Sequence, residues 1–166
     1  MTQEASWSVT TRSEAATEVV ARRLAASLPP GMALLLSGDL GAGKSVFARG
    51  VIRGLGVEER YLPSPTFTLV NLYAEGRLPI AHCDLYRLEA PEELDALGVE
   101  EYADGSGVVI VEWPERGADL RLGEPIRIRL EEVPGDSEGR CITITASGKA
   151  GKALLLQLRA ATAMHE

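Results

Sequence analysis

Residues 38–45 read Gly38-Asp39-Leu40-Gly41-Ala42-Gly43-Lys44-Ser45, which fits the pattern G-x-x-x-x-G-K-[ST] at every fixed position. Each residue type has a chemical reason to be there. Glycines let the backbone turn so tightly that successive N–H groups converge on phosphate oxygens. A helix following such a loop opens with unpaired N–H donors and the positive end of its dipole, and both favour an anion. In this setting Lys44 reaches the β- and γ-phosphates, and the Ser45 hydroxyl ligates Mg²⁺. The chain is therefore expected to bind a nucleoside triphosphate.

Lys44 is unusual within its own chain. Of 17 basic residues only Lys44, Lys149 and Lys152 are lysines. A sequence that writes arginine almost everywhere keeps a compact ammonium where a forked guanidinium could not substitute.

A phosphate cradle alone hydrolyses nothing, so carboxylates are needed beside it. Asp84 ends the apolar stretch 80–84, and Glu112 follows the unbroken apolar run 108–111. In open α/β sheets the ligand lies beyond the carboxyl ends of the parallel strands. Glu112 is thus expected to serve Mg²⁺, directly or through water. Asp84 is placed to orient or deprotonate an attacking water. Guanine specificity is not expected, because the sequence contains no N-K-x-D. The arginines are scattered, with Arg87 and Arg116 the only ones near the acidic strand ends. A small-molecule kinase, which needs a basic lid, is therefore the second reading, and a nucleotide-dependent binding module is a third.

Elements that could position these residues follow from the patterning. Residues 6–10 alternate as a strand, and 11–28 read as a helix with Ser13 as its N-cap. The run 32–36 suits a strand buried on both faces, and 44–55 a helix. A Pro-containing connector at 61–65 leads to a β-rich stretch over 66–73, a turn at 75–76 and a strand over 79–84. Residues 91–97 open like a helix with Pro91 in the first turn. A buried strand at 108–111, a hairpin of 126–131 with 141–145 around the turn 134–140, and a helix over 153–163 complete the chain. The expected fold is α/β, a P-loop NTPase fold with a mixed sheet of about seven strands flanked by helices, in one domain over 1–166.

Composition agrees: 166 residues are the size of one ordinary domain, and 45% apolar with 25% charged residues is a globular balance. No apolar run approaches the ~18 residues that span a bilayer, and residues 1–10 lack a signal-peptide pattern, so a cytoplasmic location is expected. A net charge of −7 argues against gripping RNA unaided. Cys83 and Cys141 have no metal-type spacing and are expected as small buried hydrophobes.

Three more stretches carry information together with the cradle. They are Ser64-Pro65-Thr66-Phe67-Thr68-Leu69-Val70, His82-Cys83-Asp84-Leu85-Tyr86-Arg87-Leu88 and Val111-Glu112-Trp113-Pro114-Glu115. In order and spacing, and in the acidic Pro91-Glu92-Glu93-Leu94 that follows the second, the sequence resembles the TsaE (YjeE) family over about residues 6–160. The resemblance implies an Mg²⁺-dependent ATPase that works with TsaB and TsaD in forming threonylcarbamoyladenosine beside the tRNA anticodon. Hydrolysis would sustain turnover of the assembly, and tRNA would be held chiefly by the partners. By motif position, Lys44 and Ser45 match the family's phosphate and Mg²⁺ residues, Glu112 its Mg²⁺-binding Glu, and Asp84 the Asp implicated in hydrolysis. Residues 64–66, with Thr66, would form a loop responding to the γ-phosphate, and Glu14 would approach the nucleotide. Many members carry Thr-Thr after the lysine where this chain has Ser45-Val46. Val46 has no hydroxyl for the α-phosphate, so weaker nucleotide binding is expected. His82 reads as a structural histidine and Trp113 as a packing residue. Tyr86 and Arg87 either meet a partner or cover the sheet.

Overall fold

The computed structural model describes residues 3–90, 92–117 and 120–163. The order is β1 (Ala5–Thr11), α1 (Glu14–Ala26), β2 (Met32–Ser37), α2 (Lys44–Gly54), β3 (Val70–Tyr73), β4 (Ile80–Asp84), α3 (Glu92–Asp95), β5 (Val108–Glu112), β6 (Ile126–Val133), β7 (Asp136–Ala146) and α4 (Lys149–Ala163). Short 3-10 turns at Val99–Asp104 and Pro114–Gly117 flank β5.

The strands form one mixed sheet in the order β1-β7-β6-β2-β5-β4-β3. β2 lies at its centre, parallel to β5 and β6, and β5 is parallel to β4. The remaining pairings, β1 with β7, β6 with β7 and β3 with β4, are antiparallel. The chain is thus α/β with the expected mixed sheet.

Alternation along the strands sorts side chains into two cores. Leu34, Leu36, Ile110 and Ile128 face Val20, Leu24, Phe47, Ile52 and Leu154 of the three longer helices. Ala33, Leu35, Val109 and Val111 face the other way, onto Leu85, Leu94, Val99 and Leu122. With both faces covered, β2 and β5 must be apolar at successive positions, and that requirement produced the unbroken runs in the sequence. α1 and α2 pack closely because α2 carries glycines where they meet. A Cβ on Gly50 would lie 2.6 Å from Ala21 Cβ, and one on Gly54 2.7 Å from Ala25 Cβ.

Several boundaries differ from expectation. α1 begins at Glu14 because Thr11 stays in β1, and Ser13 caps the helix by accepting from the Ala16 N–H at 3.1 Å. The β-rich stretch 66–73 is a strand only from Val70. Before it, Leu69 takes a positive φ of 66° and its N–H donates to Pro65 O at 2.8 Å, forming a turn. The hairpin turn is tighter than 134–140: β6 runs to Val133, β7 starts at Asp136, and Gly135 supplies φ +80°. Pro91 lies outside the described residues. Cys83 is buried as expected, whereas Cys141 is only half-buried. Among the described residues, no helix is long and apolar enough to cross a membrane.

Candidate functional site

The glycine loop leaves the central strand and turns into α2. Gly38, Gly41 and Gly43 hold φ of +150°, +82° and +100°, values an L side chain rarely adopts. Gly38 is also crowded, since a Cβ there would sit 2.5 Å from Leu130 O. The N-cap of α2 is Gly43, which has no side chain to turn back onto the first-turn N–H groups. Uncapped first-turn donors of this kind are what a P-loop anion site requires.

Lys44 is 5% exposed. Its Nζ donates to Gly38 O at 2.7 Å and Asp39 O at 2.8 Å, and lies 4.1 Å from the centroid of the Trp113 ring. Burial pulls this ammonium below its ordinary pKa, while the carboxylates of Glu112, Glu115, Asp84 and Asp39 oppose the shift. Trp113 follows β5 with φ +58°, and its ring also meets Tyr86 at 5.0 Å between centroids. It packs between the lysine and the tyrosine, so Tyr86 covers it, while the Arg87 guanidinium lies 4.6 Å over Phe67.

Two acidic residues close the strand ends. Asp84 and Glu112 are register partners on β4 and β5, and their side chains share the face that carries α2. Ser45 Oγ donates to Glu112 Oε1 at 2.9 Å. The other carboxylate oxygen, Oε2, lies 2.7 Å from His82 Nε2. Asp84 is engaged differently. Its Oδ2 accepts from Ser64 Oγ and Thr66 Oγ1, each at 3.2 Å, and its Oδ1 accepts from the Tyr86 N–H at 3.0 Å. The Ser64–Thr66 loop is therefore tied to the acidic strand end.

Lys44, Ser45, Ser64, Thr66, Asp84, Glu112 and Trp113 line one cleft of about 520 Å³, which also takes in Glu14, Leu40, Gly41, Gly43 and Val46. An adjoining hollow of about 350 Å³ shares Glu14, Gly41, Gly43 and Val46 and adds Ser13, Thr17 and Arg140. Gly38, Asp39 and Ala42 lie on the back of the loop, beside Arg129 and Leu130, where they shape the turn. Glu14, the first residue of α1, is exposed at the rim.

Arg140 escaped the sequence reading. Its Nε donates to Ala42 O at 2.8 Å and its Nη2 to Gly41 O at 3.1 Å, so β7 braces the loop by its carbonyls. The residue falls in a stretch that reads as a polar turn, and no local signal marks it. In sequence His82 reads as structural, and its contact with Glu112 depends on β4 lying beside β5.

Among the described residues, no group of three or more His, Cys, Asp and Glu could hold a metal by itself. One carboxylate with one hydroxyl suits Mg²⁺, which commonly takes its remaining ligands from water and substrate phosphates. Ser45 and Glu112 fit that requirement.

Known proteins match both sequence and fold. A Bacillus subtilis protein named tRNA threonylcarbamoyladenosine biosynthesis protein TsaE is 43% identical over 132 residues, covering 80% of each chain. A Rickettsia felis protein of the same name is 39% identical over 144 residues, 87% of this chain and 83% of its own. The crystal structure of Bacillus subtilis YdiB superposes with a TM-score of 0.82 at 33% identity, covering 96% of this chain and 98% of the other. The family model described as threonylcarbamoyl adenosine biosynthesis protein TsaE matches residues 11–142, and by that match and these identities the chain belongs to the TsaE family.

Proposed function

We propose that this protein is an Mg²⁺-dependent ATPase, one P-loop domain over its length, acting in the cytoplasm with TsaB and TsaD in the formation of threonylcarbamoyladenosine in tRNA. The observation that carries the reading is the hydrogen bond from Ser45 Oγ to Glu112 Oε1, 2.9 Å long, at the mouth of the glycine loop. It joins the hydroxyl that opens α2 to the carboxylate that ends the neighbouring strand, the pair a nucleotide-bound Mg²⁺ requires. Ser45 and Glu112 would hold the ion, which would neutralise charge on the phosphate oxygens.

The chain's own groups then divide the work. Backbone N–H groups over residues 41–45 receive the polyphosphate. Lys44 exchanges the carbonyls of Gly38 and Asp39 for phosphate oxygens, stronger partners for an ammonium. The adenosine end lies toward Glu14 and Val46. Asp84 orients the attacking water and accepts its proton, once Ser64 and Thr66 release the carboxylate they now hold. Their release in response to the γ-phosphate couples loop position to nucleotide state. A net charge of −7 suits a subunit that leaves tRNA binding to its partners.

The test is threonylcarbamoyl transfer reconstituted with TsaB, TsaD and tRNA, using Lys44→Ala in place of the wild-type chain. The expected result is no sustained turnover. Normal multi-round modification by that variant contradicts the reading.

A further inference from the structure

We propose that His82 is a positioning residue that aims Glu112 at the nucleotide's magnesium; this rests on the function proposed above. His82, Asp84 and Glu112 project from the same face of adjacent parallel strands, and His82 lies one pleat deeper than Asp84. His82 Nε2 approaches Glu112 Oε2 at 2.7 Å, and both side chains are only 2% exposed. A bare nitrogen lone pair facing a carboxylate oxygen at that separation would be repulsive, so with Glu112 ionised, the form that binds a metal, the proton lies on Nε2 and is donated to Glu112. The carboxylate is consequently held at both oxygens, by Ser45 on one side and His82 on the other.

The second ring nitrogen makes the assignment specific. Among the described residues, Nδ1 is buried with no hydrogen-bond partner in the chain. A histidine kept only to satisfy the core would pair both nitrogens, because an unpaired buried polar atom carries a desolvation penalty. Among the described residues, the ring's one side-chain hydrogen bond therefore goes to Glu112. His82 is in register with Ile110 of β5 and with Asn71 of β3, and the Asn71 amide is engaged elsewhere, donating to Pro63 O at 3.0 Å and accepting from Thr68 Oγ1 at 3.2 Å. Partners of this kind fix the orientation of a metal-binding carboxylate, and removing them typically weakens metal affinity about 10- to 100-fold.

The experiment measures binding of a non-hydrolysable ATP analogue by calorimetry, in EDTA and across an Mg²⁺ titration, for the full chain and the variants His82→Leu, His82→Gln and Glu112→Gln. Leucine fills the space without a donor, and glutamine returns an N–H near the Nε2 position. His82→Leu is expected to need about 10- to 100-fold more Mg²⁺ to tighten the analogue, with binding in EDTA unchanged, and His82→Gln to recover most of the loss. Wild-type Mg²⁺ dependence in His82→Leu, with Glu112→Gln impaired, overturns the role of His82 and leaves the ATPase reading standing. Unaltered Mg²⁺ dependence in Glu112→Gln overturns both. Should His82→Leu fail to fold, His82→Asn, whose amide is too short to reach Glu112, takes its place against His82→Gln. Equal behaviour of those two contradicts the proposal.

Discussion

Ser45, in the first turn of α2, and Glu112, the last residue of β5, meet through a 2.9 Å hydrogen bond although 67 positions separate them in the chain. The contact exists because β2 and β5 are neighbours in the sheet, with Leu36 and Glu112 in register. The loop following one strand therefore faces the carboxylate ending the next. Under the proposed function, substitutions around this contact are expected to separate nucleotide binding from hydrolysis.

Among the described residues, the Asp84 carboxylate receives three hydrogen bonds, and none comes from the glycine loop. Asp84→Asn is expected to leave binding of a non-hydrolysable ATP analogue unchanged and to lower single-turnover hydrolysis about 10²- to 10⁴-fold. Equal loss of binding and hydrolysis would show that Asp84 maintains the site's shape instead.

Val46 lines both the main cleft and the adjoining hollow, with an apolar side chain where a hydroxyl could meet phosphate. One added hydrogen bond contributes about 0.5–1.5 kcal/mol, so Val46→Thr should tighten ATP about 2- to 12-fold. Isothermal calorimetry on the two chains checks this, and unchanged affinity refutes it.

Gly50 lies inside α2, where helix propensity alone favours alanine by about 1 kcal/mol. The packing predicts the opposite sign. A Cβ would stand 2.6 Å from Ala21 Cβ and 3.0 Å from Glu18 O, so α1 would have to move. Gly50→Ala should destabilise the fold by about 1–3 kcal/mol in urea denaturation, and a gain in stability would disprove the close helix contact.

Cys83 is buried and its thiol is pushed up to about 12 by desolvation, with Asp84 adding to the shift. At pH 8 only about one thiol in 10⁴ is then ionised, and thiolate is the reactive form. Alkylation of the native chain should therefore label Cys141 alone, with Cys83 labelled after unfolding. Because the folded state holds this proton more tightly than the unfolded chain, its contribution to stability is complete below about pH 8.5 and declines as pH rises toward 12. Rapid native labelling of Cys83 would contradict its environment.

What the sequence made legible was local. Residues 38–45 announced the cradle because each fixed position of the pattern answers a backbone or phosphate requirement within one short stretch. Asp84 and Glu112 were visible as acids closing apolar runs, and Ser13 as a cap three residues before the N–H it accepts. Contacts made by sheet order were not visible. The link from His82 to Glu112 needs β4 beside β5, and the brace from Arg140 to Gly41 and Ala42 needs β7 to pass near the loop. Residues 66–69 misled for a different reason: their β-favouring types are overridden at Leu69, which takes φ +66° so that the chain can turn into β3.

The most direct measurement is a crystal structure of the chain with Mg²⁺ and a non-hydrolysable ATP analogue. The account predicts the polyphosphate on the amides of residues 41–45, Lys44 turned from Gly38 O and Asp39 O onto phosphate, and the metal between Ser45 and Glu112. An empty glycine loop, with the nucleotide seated elsewhere, would contradict it.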